Sequence, residues 1–315
     1  MRRFQLTILC AAAALGPITK ATSADPATNP WDTAWAMVTN KAHHAQVLAI
    51  EYAKTNYPQY FREVPVTKRT EFNLLSPTQE NELGNRFWAE SMTNAISTDL
   101  SEAQRRLTNV ASKLVSAAEP LVGTNAPAFD LRMLPDTNFN ACCHFGGKIL
   151  VNAGVLHVVR DDDEFSFVIA HEIGHAVARH AGETLTRELL RQKGIAAARF
   201  IADWTAQTRA QQKIGDLAIK GLDVASILAV ALPHEREQEL EADHLGLILM
   251  SMARYRPQAA VDLWQRMADA QSDTNSLLAR TISKYCSDHP PDAERVENLK
   301  CWLSQATNSP ASNAL

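Results

Sequence analysis

FSFVIAHEIGHAVARH, Phe165 to His180, is the stretch on which the reading of this chain turns. His171 and His175 stand four positions apart, with Glu172 directly after the first. At 3.6 residues per turn, that spacing puts the two imidazoles about 40° apart on one helix face and roughly 6 Å along its axis. Both rings can then reach a single zinc ion, with Glu172 beside it to take a proton from water. A catalytic zinc needs a third protein ligand. Glu239, in ELEADHLG, lies 64 residues beyond His175 on a second helical segment and is the best candidate.

The acids of that segment sort by angle. Glu239 and Asp243 share a face, whereas Glu241 lies about 200° round from Glu239. Glu239 is therefore assigned to zinc. Asp243 is expected to accept the second ring N–H of a histidine ligand, fixing its tautomer. Glu241 is read as solvated or as a distal partner. Downstream, SDHPPDAERVENL offers His289 and Arg295. His289 can stabilise an oxyanion or cap the resting zinc, and Arg295 can hold Asp243 or Glu172.

Working outward, Asp161 to Glu164 give the zinc helix an acidic start, with Asp161…Glu164 as a capping box. Gly174 permits close packing behind the metal. From Ala128 to Val158 the texture turns to short strands, and a small antiparallel sheet is expected to end in KILVNAGVL beside the zinc helix. Gly146 and Gly147, with Lys148 and Ile149 after them, are read as an edge open to an extended peptide substrate; an ordinary hairpin bend is the alternative. Ser76, Pro77 and Gln79 start a helix with an S-x-x-Q box, and a second runs from about Ser101 to Ala118, ended by Pro120, Gly123 and Pro127. Further helices are expected over 184–220, 235–252, 258–267, 275–285 and 292–303. The fold class is thus α+β, mainly helical.

The 315 residues, 46% of them hydrophobic, support one large domain or two modest ones. The formal charge of −4 gives no electrostatic case for nucleic acid or an anionic membrane. At the start, MRRFQLTILCAAAALGPITKATSADPA joins a basic pair, an apolar run over Phe4–Gly16 and small residues to Ala24, a secretory signal over 1–24. A mitochondrial presequence and a lipoprotein signal on Cys10 are the rivals; bulky Leu9 argues against the second. Residues 25–74 read as an arm and helix, 75–303 as the catalytic domain and 304–315 as a frayed tail. The apolar 214–232 stretch carries Asp216, Lys220 and Asp223, so it reads as a cleft cover or core helix, with peripheral membrane contact as the alternative. His43 and His44 read as solvated. Cys142, Cys143 and His144 are too close in sequence to converge on one ion; Cys286 and Cys301 are the most economical disulfide pair.

Taken together, SPTQENELG, NACCHFGGKILVNAGVL, HEIGHAVARH, EREQELEADHLG and HPPDAER resemble the zinc metalloendopeptidases of the HtpX, Oma and CAAX-prenyl-protease type, over about Leu75 to Leu303. The resemblance implies a zincin-like fold and one Zn2+ per chain on His171, His175 and Glu239. It also implies Glu172 as base, Asp243 as support, and His289 and Arg295 in the active-site lining. It further implies a secreted, periplasmic enzyme whose partners are unfolded or membrane-associated polypeptides. Glu235, Ala253-Arg254-Tyr255 and Cys143 to Gly147 depart from the family pattern. An envelope-assembly chaperone and a zinc hydrolase of non-protein amides are the competing functions.

Overall fold

The computed structural model describes residues 51, 54–55, 57–93, 100–123, 126–193, 235–272, 277–289 and 293–308. The expected signal over 1–24, the expected 31–52 helix apart from Glu51, and the apolar 214–232 stretch lie outside them. An antiparallel hairpin opens the described chain: β1 (Phe61–Glu63) and β2 (Thr70–Phe72), with Phe61 opposite Phe72. Helices α1 (Pro77–Thr93) and α2 (Ser101–Val122) follow. Strands β3 (Asp130–Leu134), β4 (Ala141–His144) and β5 (Lys148–Asn152) lead into α3 (Asp162–Val177) and α4 (His180–Lys193). Then come α5 (Glu235–Met252), α6 (Gln258–Gln271), α7 (Leu277–Asp288) and α8 (Ala293–Asn308). The architecture is the expected α+β, mainly helical one with small sheets.

Local chemistry explains the helix starts. The Ser76 hydroxyl accepts from the Gln79 N–H at 3.3 Å, and the Gln79 side chain accepts from the Ser76 N–H at 2.8 Å, a reciprocal box. Asp161 accepts from Glu164 N–H at 2.8 Å, capping α3. Glu164 does not close the box. It accepts from Arg160 N–H at 2.7 Å and pairs with Arg266, tying α3 to α6. Helix α2 runs one turn further than its prolines suggest: Pro120 lies inside it and Gly123 ends it at φ 60°. At the other end of the chain, α8 continues to Asn308 rather than fraying at 304.

The three-stranded sheet departs from expectation. Its order is β3-β5-β4, antiparallel between β4 and β5 but parallel between β3 and β5. Lys148 and Ile149 therefore sit on the central strand, bonded on both sides and buried, with no main-chain edge free for a substrate. Gly146 and Gly147 are likewise not an open edge. They form a buried turn at φ 65° and 74°, where added side chains would strike Asn81 on α1 and Pro127 and Phe129. Among the described residues, β4 has a strand partner on one side only.

Helix α3 is the centre of the core. Phe165, Phe167, Val168, Ile169, Ile173 and Val177 are fully buried, alongside Leu245, Leu247 and Leu249 of α5 and Trp264 of α6. Gly174 lets α3 lie directly on α5: a Cβ there would meet the Ala242 carbonyl oxygen at 2.8 Å and its Cα at 3.2 Å. Backbone cannot step aside as a side chain can. Gly174→Ala is accordingly expected to cost about 1–3 kcal/mol and, by spreading the two helices that carry the donors, to weaken metal binding. Urea midpoints and zinc titration of the same variant check both effects.

Candidate metal centre

Helix α3 delivers His171, Glu172 and His175; α5 delivers Glu239 and Asp243; the end of α7 delivers His289; α8 delivers Arg295. The Nε2 atoms of His171 and His175 are 3.1 Å apart. Glu239 approaches each of them at 3.3 Å. His289 Nδ1 lies 2.8 Å from Glu239 and 3.3 Å from His171 Nε2. One donor atom from each of the four residues falls within 4.8 Å of all the others. Tetrahedral bonds of about 2.0–2.1 Å to one zinc place ligand atoms about 3.3 Å apart, so this donor set fits that ion.

The second fit lies beside the cluster. Glu172 is fully buried, and neither carboxylate oxygen has a hydrogen-bond partner among the described residues. A buried carboxylate without donors is costly; water brought to the metal is what would satisfy it.

Each histidine of the HExxH pair has its second ring nitrogen engaged. His171 Nδ1 lies 2.9 Å from Asp243 Oδ1, and Asp243 accepts two bonds from Arg295, Nε at 2.7 Å and an Nη at 2.8 Å. Arg295 also reaches Glu239 at 3.0 Å and stacks over Trp264. It is 1% exposed. Of the two acids offered to Arg295 by sequence, then, the fold supplies Asp243, and Glu239 in addition. Burial opposes charge on Asp243, yet Arg295 and His171 outweigh it and hold the carboxyl below its usual range. Burial likewise opposes charge on His171, yet Asp243 and Glu239 carry it up to about 9.

His175 turns to a partner that the sequence reading missed. Its Nδ1 is 2.8 Å from His180 Nδ1, and His180 Nε2 is 3.0 Å from Glu241. Burial pushes His180 down to about 3, so it is the neutral ring. The only hint was a third histidine five positions after the second. Its placement depends on Arg179, which breaks the helix at φ 57° and swings His180 back. Of the two readings of Glu241, solvated or distal partner, the second holds: it is buried and accepts from His180, Arg69 and Thr67.

The depressed acid gives a pH prediction. Burial would raise Glu241, but His180 and Arg69 outweigh it and bring it from an ordinary 4.5 to about 2. A carboxyl depressed by folding adds stability above its unfolded pKa and loses it as pH falls through the folded one. Stability should therefore drop between about pH 4.5 and about 2, with a shallower slope in Glu241→Gln, as followed by circular dichroism.

Two expectations do not join the centre. Gly146 and Gly147 lie in the buried turn before β5, and Lys148 and Ile149 lie within that strand. Cys142, Cys143, Cys286 and Cys301 are all free thiols; Cys286 is buried in α7 and Cys301 exposed on α8, so the expected pair is not bonded.

Comparison with known proteins agrees with this geometry. The family model for peptidase family M48 matches residues 101–303. The mitochondrial metalloendopeptidase OMA1 of Schizosaccharomyces pombe is 29% identical over 257 residues, covering 79% of this chain and 68% of that protein. The metalloprotease YcaL of Escherichia coli is 24% identical over 230 residues, 72% of this chain and 80% of its own. A putative beta-barrel assembly-enhancing protease of Vibrio cholerae is 27% identical over 161 residues, 51% of this chain and 32% of its own.

Proposed function

The chain belongs to peptidase family M48, and from that premise we propose an endopeptidase of the bacterial periplasm that clears unfolded or misassembled envelope proteins. That it is a metal-dependent peptidase follows from the family and the four-donor cluster. The observation carrying the catalytic reading is the unpartnered Glu172 carboxylate beside that cluster. His171, His175 and Glu239 would hold the zinc, which when bound acidifies water and polarises a carbonyl. Glu172 takes the proton as water attacks and passes it to the leaving amine. Asp243 accepts from His171 Nδ1, so that Nε2 is the nitrogen that would give up its proton to bind the ion. Arg295 has its guanidinium committed to Asp243 and Glu239, so it positions ligands and does not meet the peptide. His289 would be a fourth donor to that ion, and its removal from the cluster would leave room for substrate.

The substrate class rests on similarity and on the side of β4 that pairs with no strand among the described residues. An extended, unfolded segment can add there as a strand with little demand on its side chains. The name of the Vibrio cholerae relative points to the bacterial envelope, whereas OMA1 is named as mitochondrial. The uncharged apolar run at Phe4–Gly16 favours export and a signal over 1–24. No helix among the described residues is long and apolar enough to cross a membrane. Residues 75–303 are taken as the catalytic domain.

The test pairs a reduced, unfolded outer-membrane barrel protein with its folded form. Cleavage of the unfolded form alone, stopped by chelation and restored by zinc, is the expected result. Equal cleavage of both forms would remove the quality-control reading; cleavage of small amides and no polypeptide would favour the amide-hydrolase alternative.

A further inference from the structure

We propose that the β1–β2 hairpin is part of the metal centre: through Glu241 and His180 it sets which nitrogen of His175 is free for the metal. The hairpin lies wholly before residue 101, where the family match begins. This deepens the reading above and rests on His175 being a ligand.

As a ligand, His175 presents Nε2 toward His171 Nε2 and Glu239, so its hydrogen lies on Nδ1. That Nδ1 faces His180 Nδ1 at 2.8 Å, where only one hydrogen fits, so His180 Nδ1 accepts it. The hydrogen of His180 then lies on Nε2, 3.0 Å from Glu241 Oε2, an oxygen that also accepts from Arg69. Reversing either tautomer would set two hydrogens, or two lone pairs, against each other.

What holds Glu241 in this state comes from the hairpin. Arg69 donates from Nε at 2.7 Å, and Thr67 Oγ1 donates to the other carboxylate oxygen. Arg69 is itself gripped by Glu183 of α4, at 2.7 and 2.8 Å. The turn presenting both groups places Val66 at φ 66° and Lys68 at φ 59°, backbone that a β-branched residue rarely adopts. The hairpin is anchored from beneath by Arg62, which donates to Glu71 at 2.6 Å and to the Val177 carbonyl at 2.7 Å, where the zinc helix ends. So the far end of the chain of bonds is fastened to the same helix as the ligand it serves.

A partner of this kind behind a histidine ligand typically carries about 10–100-fold in metal affinity. The measurement is zinc affinity by competition with a chromophoric chelator, on the full chain, with thermal melting in excess chelator run beside it. His180→Ala should bind zinc about 10–100-fold more weakly. His180→Asn should regain part of the loss, because its amide oxygen accepts where Nδ1 did and its NH2 donates. Arg69→Met should weaken zinc several-fold, and the double variant His180→Ala/Arg69→Met no further than His180→Ala alone, since both cut one chain. If His180→Ala fails to fold, Thr67→Val, which removes a single hydrogen bond, carries the test by a smaller weakening in the same titration. Parent-like zinc affinity in His180→Ala, or fully additive losses in the double variant, would overturn the proposal while leaving the metalloprotease reading intact. Parent-like affinity in Thr67→Val, where that variant carries the test, overturns it too. A parent chain that takes up no zinc overturns both.

Discussion

Glu172→Gln is expected to keep its zinc and lose cleavage by about 10²–10⁴-fold, the span that a positioned general base contributes. Glutamine fills the same volume, and no hydrogen bond is given up, because the carboxylate makes none within the described residues. Only the capacity to accept a proton is lost. The stability change should run the other way. A carboxyl group at 0% exposure without donors among the described residues is a liability in the folded chain, so its amide isostere should melt at an equal or higher temperature. A variant that gains stability as it loses turnover would mark Glu172 as held in place for chemistry. Unchanged turnover with zinc present would remove it as the base.

Arg295→Met should give the largest loss of stability. The guanidinium is buried against Asp243 and Glu239, and removing it strands the fully buried Asp243 and strips a partner from Glu239. Breaking a buried pair from one side costs about 3–5 kcal/mol. The matched control is the double variant Arg295→Met/Asp243→Leu. With that charge gone too, its loss should fall well short of the sum of the singles. Urea denaturation of all three variants, with zinc chelated, isolates the ion pair from the metal. A cost under about 1 kcal/mol for Arg295→Met alone would class it with exposed pairs.

Both predictions concern residues that could be picked out in one dimension: Arg295 by its place in SDHPPDAERVENL, and Glu172 by the periodicity of the helix that bears it. Four-residue spacing puts His171 with His175, and Glu239 with Asp243, on single helix faces whatever the rest of the chain does. Helix starts were legible for the same reason, since Ser76–Gln79 and Asp161 act within one turn. His289 and Arg295 were legible as candidates, but which acid the arginine meets was not.

What lay beyond reach depends on how distant pieces cross. Apolar, partly β-branched residues after Gly146-Gly147 mark β5 as a strand and say nothing of its neighbours. The parallel partner β3 makes it central and closes Lys148 and Ile149 to substrate. The left-handed residue Arg179 turns His180 onto His175, although its side chain has no special claim to that conformation. Glu241, on the opposite side of α5 from Glu239, reads equally as solvated or as a distal partner. What makes it a partner is that His180 of α4 and Thr67 and Arg69 of the hairpin meet that side. Sequence alone determined which residues share a helix face, because that is a matter of angles along one backbone. The tertiary structure decided what each face meets, because burial and hydrogen-bond partners are set by segments far apart in the chain.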